Sequence, residues 1–186
     1  DVAVKEVPLR EDFSLDADGV LGSLARQTKI VFICSPNNPT GNVMDRTSIL
    51  RIAESFSGIV VVDEAYAEFA DAESLVASIA SHPNIVVLRT FSKAWAMAGL
   101  RVGMAFADDA IIELMNRVKP PYNVSGIAQR AVLEALRSDK QISQWINQAI
   151  SERWRLAKEL SRLSVVEKVF PSDANFLLVK TSDAAG

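Results

Sequence analysis

Three short apolar runs, at residues 30–34, 59–62 and 85–88, constrain this chain's fold more than any other feature. Each is rich in valine and isoleucine, short enough for a strand, and apolar at consecutive rather than alternate positions. A strand of that kind expects cover on both faces, as in a parallel sheet. Amphipathic helical patterns lie between or after the runs, at 45–56, 108–117, 126–137 and 139–163, with Asp45 and Asp108 where N-caps belong. Strand–helix–strand alternation predicts an α/β fold, a mostly parallel sheet between helices. Ligands of such sheets collect beyond the carboxyl ends of the strands, so the residues just after each run are where chemistry is expected.

The 186 residues allow one sizeable core, or a large domain and part of a second. A net charge of −3 offers no basic footprint for nucleic acid, and no stretch approaches the roughly 18–20 apolar residues of a membrane span. One cysteine, Cys34, precludes an internal disulfide and fits a reducing, cytoplasmic setting; within its apolar run it reads as a buried structural thiol. The one histidine, His82, precedes Pro83 and reads as a loop or cap residue, so no metal site is expected. Residues 1–7 read as a strand already under way, and the chain stops at Asp183-Ala184-Ala185-Gly186, so both ends look cut. A helix over 139–163 would run about 37 Å and suit a strut between domains. Two strand patterns follow, at 165–169 and 175–180, separated by Pro171-Ser172-Asp173. The expected organisation is a large domain over 1–138, an interdomain helix over 139–163, and the start of a small α+β domain over 164–186.

The first run leads into Ser35-Pro36-Asn37-Asn38-Pro39-Thr40-Gly41, a stiff loop from which Asn38 could present an amide. The second leads into Asp63-Glu64-Ala65-Tyr66, where Asp63 extends an apolar strand and needs a cationic or donor partner. The third leads into Arg89-Thr90-Phe91-Ser92-Lys93-Ala94-Trp95. A lysine at a strand-to-helix junction, partly desolvated, would be a nucleophile. The hydroxyls of Thr90 and Ser92, with the N–H groups of a following helix, suit a phosphate, and Arg101 could close over it. Each signal alone also fits an ordinary loop, cap or ion pair. Together they supply an amine, a carboxylate, a phenol, an amide and a phosphate cup, which is the set that pyridoxal 5′-phosphate (PLP) requires.

With Ala98-Gly99-Leu100-Arg101-Val102-Gly103 and Pro120-Pro121-Tyr122-Asn123-Val124, these motifs resemble the aspartate-aminotransferase superfamily of fold type I PLP enzymes. The last of these motifs, with Pro8-Leu9 and Asp12-Phe13-Ser14-Leu15-Asp16 near the start, tilts the resemblance toward its histidinol-phosphate branch. The resemblance implies an aminotransferase large domain in which Lys93 is the Schiff-base lysine and proton shuttle. Asp63 would pair with the pyridine nitrogen, and Asn38 and Tyr66 would contact the 3′-oxygen. Ser92, Arg101 and Thr90 would hold the phosphate. It further implies amino transfer between L-histidinol phosphate and 2-oxoglutarate, with a homodimer whose Tyr122-Asn123 loop nears the partner's site. Threonine-phosphate decarboxylase, aromatic aminotransferases and a non-catalytic fragment are the alternatives. The family often has glycine where Ala96 stands, a change expected to be tolerated. Its N-terminal arm and its carboxylate-binding arginine fall outside these residues, so weak or no turnover is expected of the chain by itself.

Overall fold

The valine-rich runs pair as expected. In the computed structural model, which describes residues 2–182, β1 (Ile30–Cys34), β2 (Ile59–Asp63) and β3 (Ile85–Thr90) lie side by side and parallel. A fourth strand, β4 (Gly103–Phe106), which the apolar pattern did not announce, returns antiparallel beside β3. The register puts Ile33, Val60, Val62, Ile85 and Val87 on one face. Helices α1 (Ala17–Ser23) and α2 (Arg46–Ser55) pack there through Ala17, Val20, Ile49, Ile52 and Ala53, making the main core. Burying a side chain such as Ile52, fully enclosed, contributes roughly 1.5–3 kcal/mol.

Both expected N-caps form. Asp45 accepts the Ser48 N–H at 2.7 Å to start α2, and Asp108 accepts the Ala110 N–H at 3.0 Å to start α3 (Asp109–Val118). Helix α4 (Gly126–Ala135) follows, then α5 (Asp139–Leu160), which ends three residues short of the expected 163. A two-stranded antiparallel sheet, β5 (Val166–Val169) with β6 (Val179–Thr181), stands apart from the first. Helix α5 packs against β5 and against a 3-10 turn at Ala67–Phe69.

Three expectations need correction. Residues 2–7 form no strand; the chain there runs along the main core through the half-buried Val7 and Leu9. Strand β1 is not covered on both faces. Among the described residues it is the sheet's edge, with one neighbour, and Phe32 is 69% exposed and Ile30 46%. Cys34 shares that open face and is exposed rather than buried. Asp1 and residues 183–186, where the chain reads as cut, lie outside the described residues.

Candidate active site

The carboxyl ends of β1, β2 and β3 deliver Cys34, Asp63 and Thr90 to one edge of the sheet. Asp63 is half-buried, and its Oδ1 accepts the Ala65 N–H at 3.0 Å, the donor partner its position demanded. Among the described residues it has no ion pair. Its register partner Cys34 feels it. Desolvation of the thiol, and secondarily the Asp63 carboxylate, raise the cysteine pKa even though the residue as a whole is exposed.

Beyond Asp63 the chain turns into the 3-10 turn that Tyr66 caps. Tyr66 is buried, and its hydroxyl accepts a hydrogen bond from Asn38 Nδ2 at 3.1 Å. The amine of Lys93 lies 5.0 Å from the Tyr66 ring centroid, within cation–π range. Three of the residues singled out from sequence are thus brought together from loops that follow three different strands. Asn38 belongs to a loop with two cis bonds, Ser35–Pro36 and Asn38–Pro39, closed by the Gly41 N–H on Asn37 O.

The third loop differs from expectation. No α-helix follows β3; residues 91–97 turn into a 3-10 turn at Ala98–Leu100 and then into β4. The helix N–H groups expected around a phosphate are therefore not there, and Lys93 sits exposed on a turn instead of desolvated at a helix start. The hydroxyls do gather: Thr90 Oγ1 donates to Ser92 Oγ at 2.9 Å and accepts the Ser92 N–H at 3.0 Å. Phe91 N–H donates to Val102 O, which brings the residue after Arg101 alongside this pair. The guanidinium of Arg101 does not close over them. It is exposed, and its Nη1 donates to Ala98 O at 2.9 Å. Both Ala96 (φ 55°) and Arg101 (φ 56°) are left-handed, a conformation that costs a residue with a Cβ roughly 1–2 kcal/mol.

Sequence reasoning missed the segment around Ala174. It read Pro171-Ser172-Asp173 as a separator between strands, yet this segment docks on the site. Asp173 N–H donates to Gly41 O at 2.7 Å, and Asp173 Oδ2 accepts the Val43 N–H at 3.0 Å. Ala174 is fully buried in a cluster with Tyr66, Phe69 and Ala94, and the Phe176 ring meets Tyr66 edge-on at 5.2 Å. The signal was weak: Ala174 is one small residue between Asp173 and Asn175, and Phe176 opens an apolar run that reads as an ordinary strand. Arg46 and Glu64 instead line a separate cavity of about 570 Å³ beside α2.

Among the described residues, no helix is long and apolar enough to cross a membrane. A family model described as aminotransferase class I and II matches residues 1–185. The histidinol-phosphate aminotransferase of Cytophaga hutchinsonii is 49% identical over 98% of this chain, which spans 53% of that relative's length. The chain therefore covers about half of the curated relatives it matches. A solved histidinol-phosphate aminotransferase from Sinorhizobium meliloti, in complex with pyridoxal-5′-phosphate, superposes with a TM-score of 0.85 at 26% identity, covering 95% of this chain and 49% of that one. An L-threonine-O-3-phosphate decarboxylase from Porphyromonas gingivalis is also similar, with a TM-score of 0.75 at 27% identity over 87% of this chain and 50% of that one.

Proposed function

Because this chain belongs to the class I and II aminotransferase family, we propose that its site holds PLP and that the whole protein transfers an amino group between L-histidinol phosphate and 2-oxoglutarate. The observation that carries this reading is the meeting of Lys93, Tyr66 and Asn38 beyond the ends of a parallel sheet. The residues fit the cofactor's charges. Among the described residues, neither Lys93 nor Asp63 has an ionic partner, so an amine is open to a carbonyl and a carboxylate to a protonated ring nitrogen.

Bound PLP supplies an electron sink for the pair left when the substrate α-carbon loses its proton. Lys93 would hold the cofactor through its amine and, once freed by the substrate amine, would serve as the base that moves the proton from the substrate Cα. Asp63 keeps the pyridine nitrogen protonated, its orientation set by the Ala65 N–H. Asn38 and Tyr66, already paired with each other, address the 3′-oxygen. The Thr90 and Ser92 hydroxyls would hold the phosphate, and Arg101, now bonded to Ala98 O, would supply the positive charge beside them.

The 49% identity to the Cytophaga relative supports the histidinol-phosphate substrate, and the similarity to the Porphyromonas decarboxylase favours threonine phosphate as the second reading. The domain reading is proposed likewise: a large domain over 1–138, α5 as the strut, and the start of a small domain at β5 and β6. A cytoplasmic homodimer goes with it. Support for the dimer comes from Leu114, Val118, Tyr122 and Ile127, large apolar residues exposed on α3, α4 and the loop between them.

Mixing the chain with PLP tests the cofactor reading. A visible absorbance band that borohydride abolishes, with the reduced adduct mapped to Lys93 and missing in Lys93→Ala, is the expected result. No band would refute it. The same chain is expected to show little or no transamination. The whole protein decides the substrate: amine transfer from histidinol phosphate supports the assignment, whereas carbon dioxide release from threonine phosphate without transamination replaces it.

A further inference from the structure

Arg153, on α5, reaches across to two backbone carbonyls. Its Nη1 donates to Ala174 O at 2.6 Å and lies 3.4 Å from Phe69 O. Phe69 ends the turn that Tyr66 caps, its N–H bonded to Tyr66 O at 3.1 Å. Ala174 belongs to the segment whose Asp173 is bonded to Gly41 and Val43, in the loop that presents Asn38. One guanidinium therefore joins the Tyr66 turn to the segment that anchors the Asn38 loop. The pairing of the two strands, extended by the Ser35 N–H on Asp63 O, sets the two loops side by side, but Asn38 and Tyr66 lie three residues beyond it on separate loops. Desolvation weighs on the Arg153 charge, and the nearby Asp173 carboxylate offsets it. Among the described residues Arg153 has no ion pair; backbone carbonyls and the Trp154 ring, 5.7 Å away, hold its half-buried guanidinium.

We infer that Arg153 is a positioning residue, which pins the segment 172–176 to the Tyr66 turn and thereby sets the hydrogen bond between Asn38 and Tyr66 that addresses the cofactor's 3′-oxygen. Its structural part stands on the contacts above; its catalytic meaning rests on the PLP reading. Removing the guanidinium releases Ala174 and Phe176 from Tyr66, so the phenol loses both its edge-on ring partner and its alignment with Asn38.

The chain has only two tyrosines, which makes the effect visible without cofactor. In chain labelled with 3-fluorotyrosine, the exposed Tyr122 gives a solvent-like fluorine signal and the buried Tyr66 a distinct one; Tyr122→Phe assigns them. Arg153→Met is expected to move the Tyr66 signal toward that of Tyr122 and to weaken PLP binding about tenfold. Arg153→Lys, keeping one donor, is expected to restore part of both. Arg155→Gln, on the same helix but exposed and paired with Glu152, is the control and should change neither. If Arg153→Met lowers the melting temperature yet leaves the Tyr66 signal and PLP affinity unchanged, the role is merely structural and the inference fails. Should that variant not fold, Ser172→Ala, which removes the acceptor for the Ala174 N–H, tests the same segment. A shifted Tyr66 signal supports the inference and an unshifted one overturns it. A parent chain that takes up no PLP refutes the cofactor reading alone, because the fluorine signal still reports on Arg153.

Discussion

The two halves of the site are held differently. Tyr66 and Asn38 stand on loops bolted down by distant parts of the chain: Asp173 on Gly41 and Val43, Arg153 on Phe69, Phe176 against the phenol ring. The loop of Lys93 and Arg101 reaches the Tyr66 cluster through Ala94 and Trp95 but is hydrogen-bonded mainly to itself, Met97 N–H on Phe91 O and Ala96 N–H on Lys93 O, and two of its residues are left-handed without being glycine. One half is pre-organised by tertiary packing. The other leaves Lys93 exposed on a mildly strained turn, which would suit the cofactor-holding role proposed for it.

The strongest way to break this contrast is Gly41→Ala. At φ 81° a Cβ would lie 2.4 Å from Ser172 Oγ and 2.8 Å from its Cβ, so backbone strain and overlap act together. A loss of about 2–4 kcal/mol is expected, read as a melting temperature lower by roughly 5–15 °C. Ser172→Gly in the same chain should recover the overlap but not the backbone strain. If Gly41→Ala is neutral, the docked half is looser than its contacts imply.

Ala96→Gly sharpens the other half. Removing the Cβ from a residue at φ 55° should stabilise by about 1 kcal/mol and raise the melting temperature by roughly 2–4 °C. The glycine that the resemblance leads one to expect at this position would then have a backbone cause. Alanine is tolerated, but at a measurable cost. An unchanged or lower melting temperature would show that the lysine loop carries no strain there.

The smallest effect concerns Cys34. Its pKa is raised first by desolvation and then by Asp63, so Asp63→Asn should lower it and increase the thiolate fraction below the pKa. Alkylation by iodoacetamide at pH 8 is expected to quicken about two- to threefold. An unaltered rate would mean that the Asp63 charge does not reach the first strand.

Much of this was legible in the chain because it depends on neighbours in sequence. Consecutive valines and isoleucines specify parallel strands, and a carboxylate immediately before a helical pattern caps it, whatever lies beyond. The ends of strands then locate Asn38, Asp63, Tyr66, Thr90, Ser92 and Lys93 at one edge of a sheet. What only the tertiary structure decided has no local code. The strand at residues 30–34 reads as doubly covered, but cover comes from other segments, and here one face lies open at Phe32 and Cys34. The expected helix after Lys93 gave way to a turn and an antiparallel strand, because residues 103–106 pair with β3 across a separation that periodicity cannot register. Likewise Arg153 and Ala174 look like an ordinary helix arginine and a loop alanine. The role inferred for them arises from the bond of Arg153 to Phe69, 84 residues away, and from the anchoring of the neighbouring Asp173 on Val43, 130 residues away, which no short window of sequence contains.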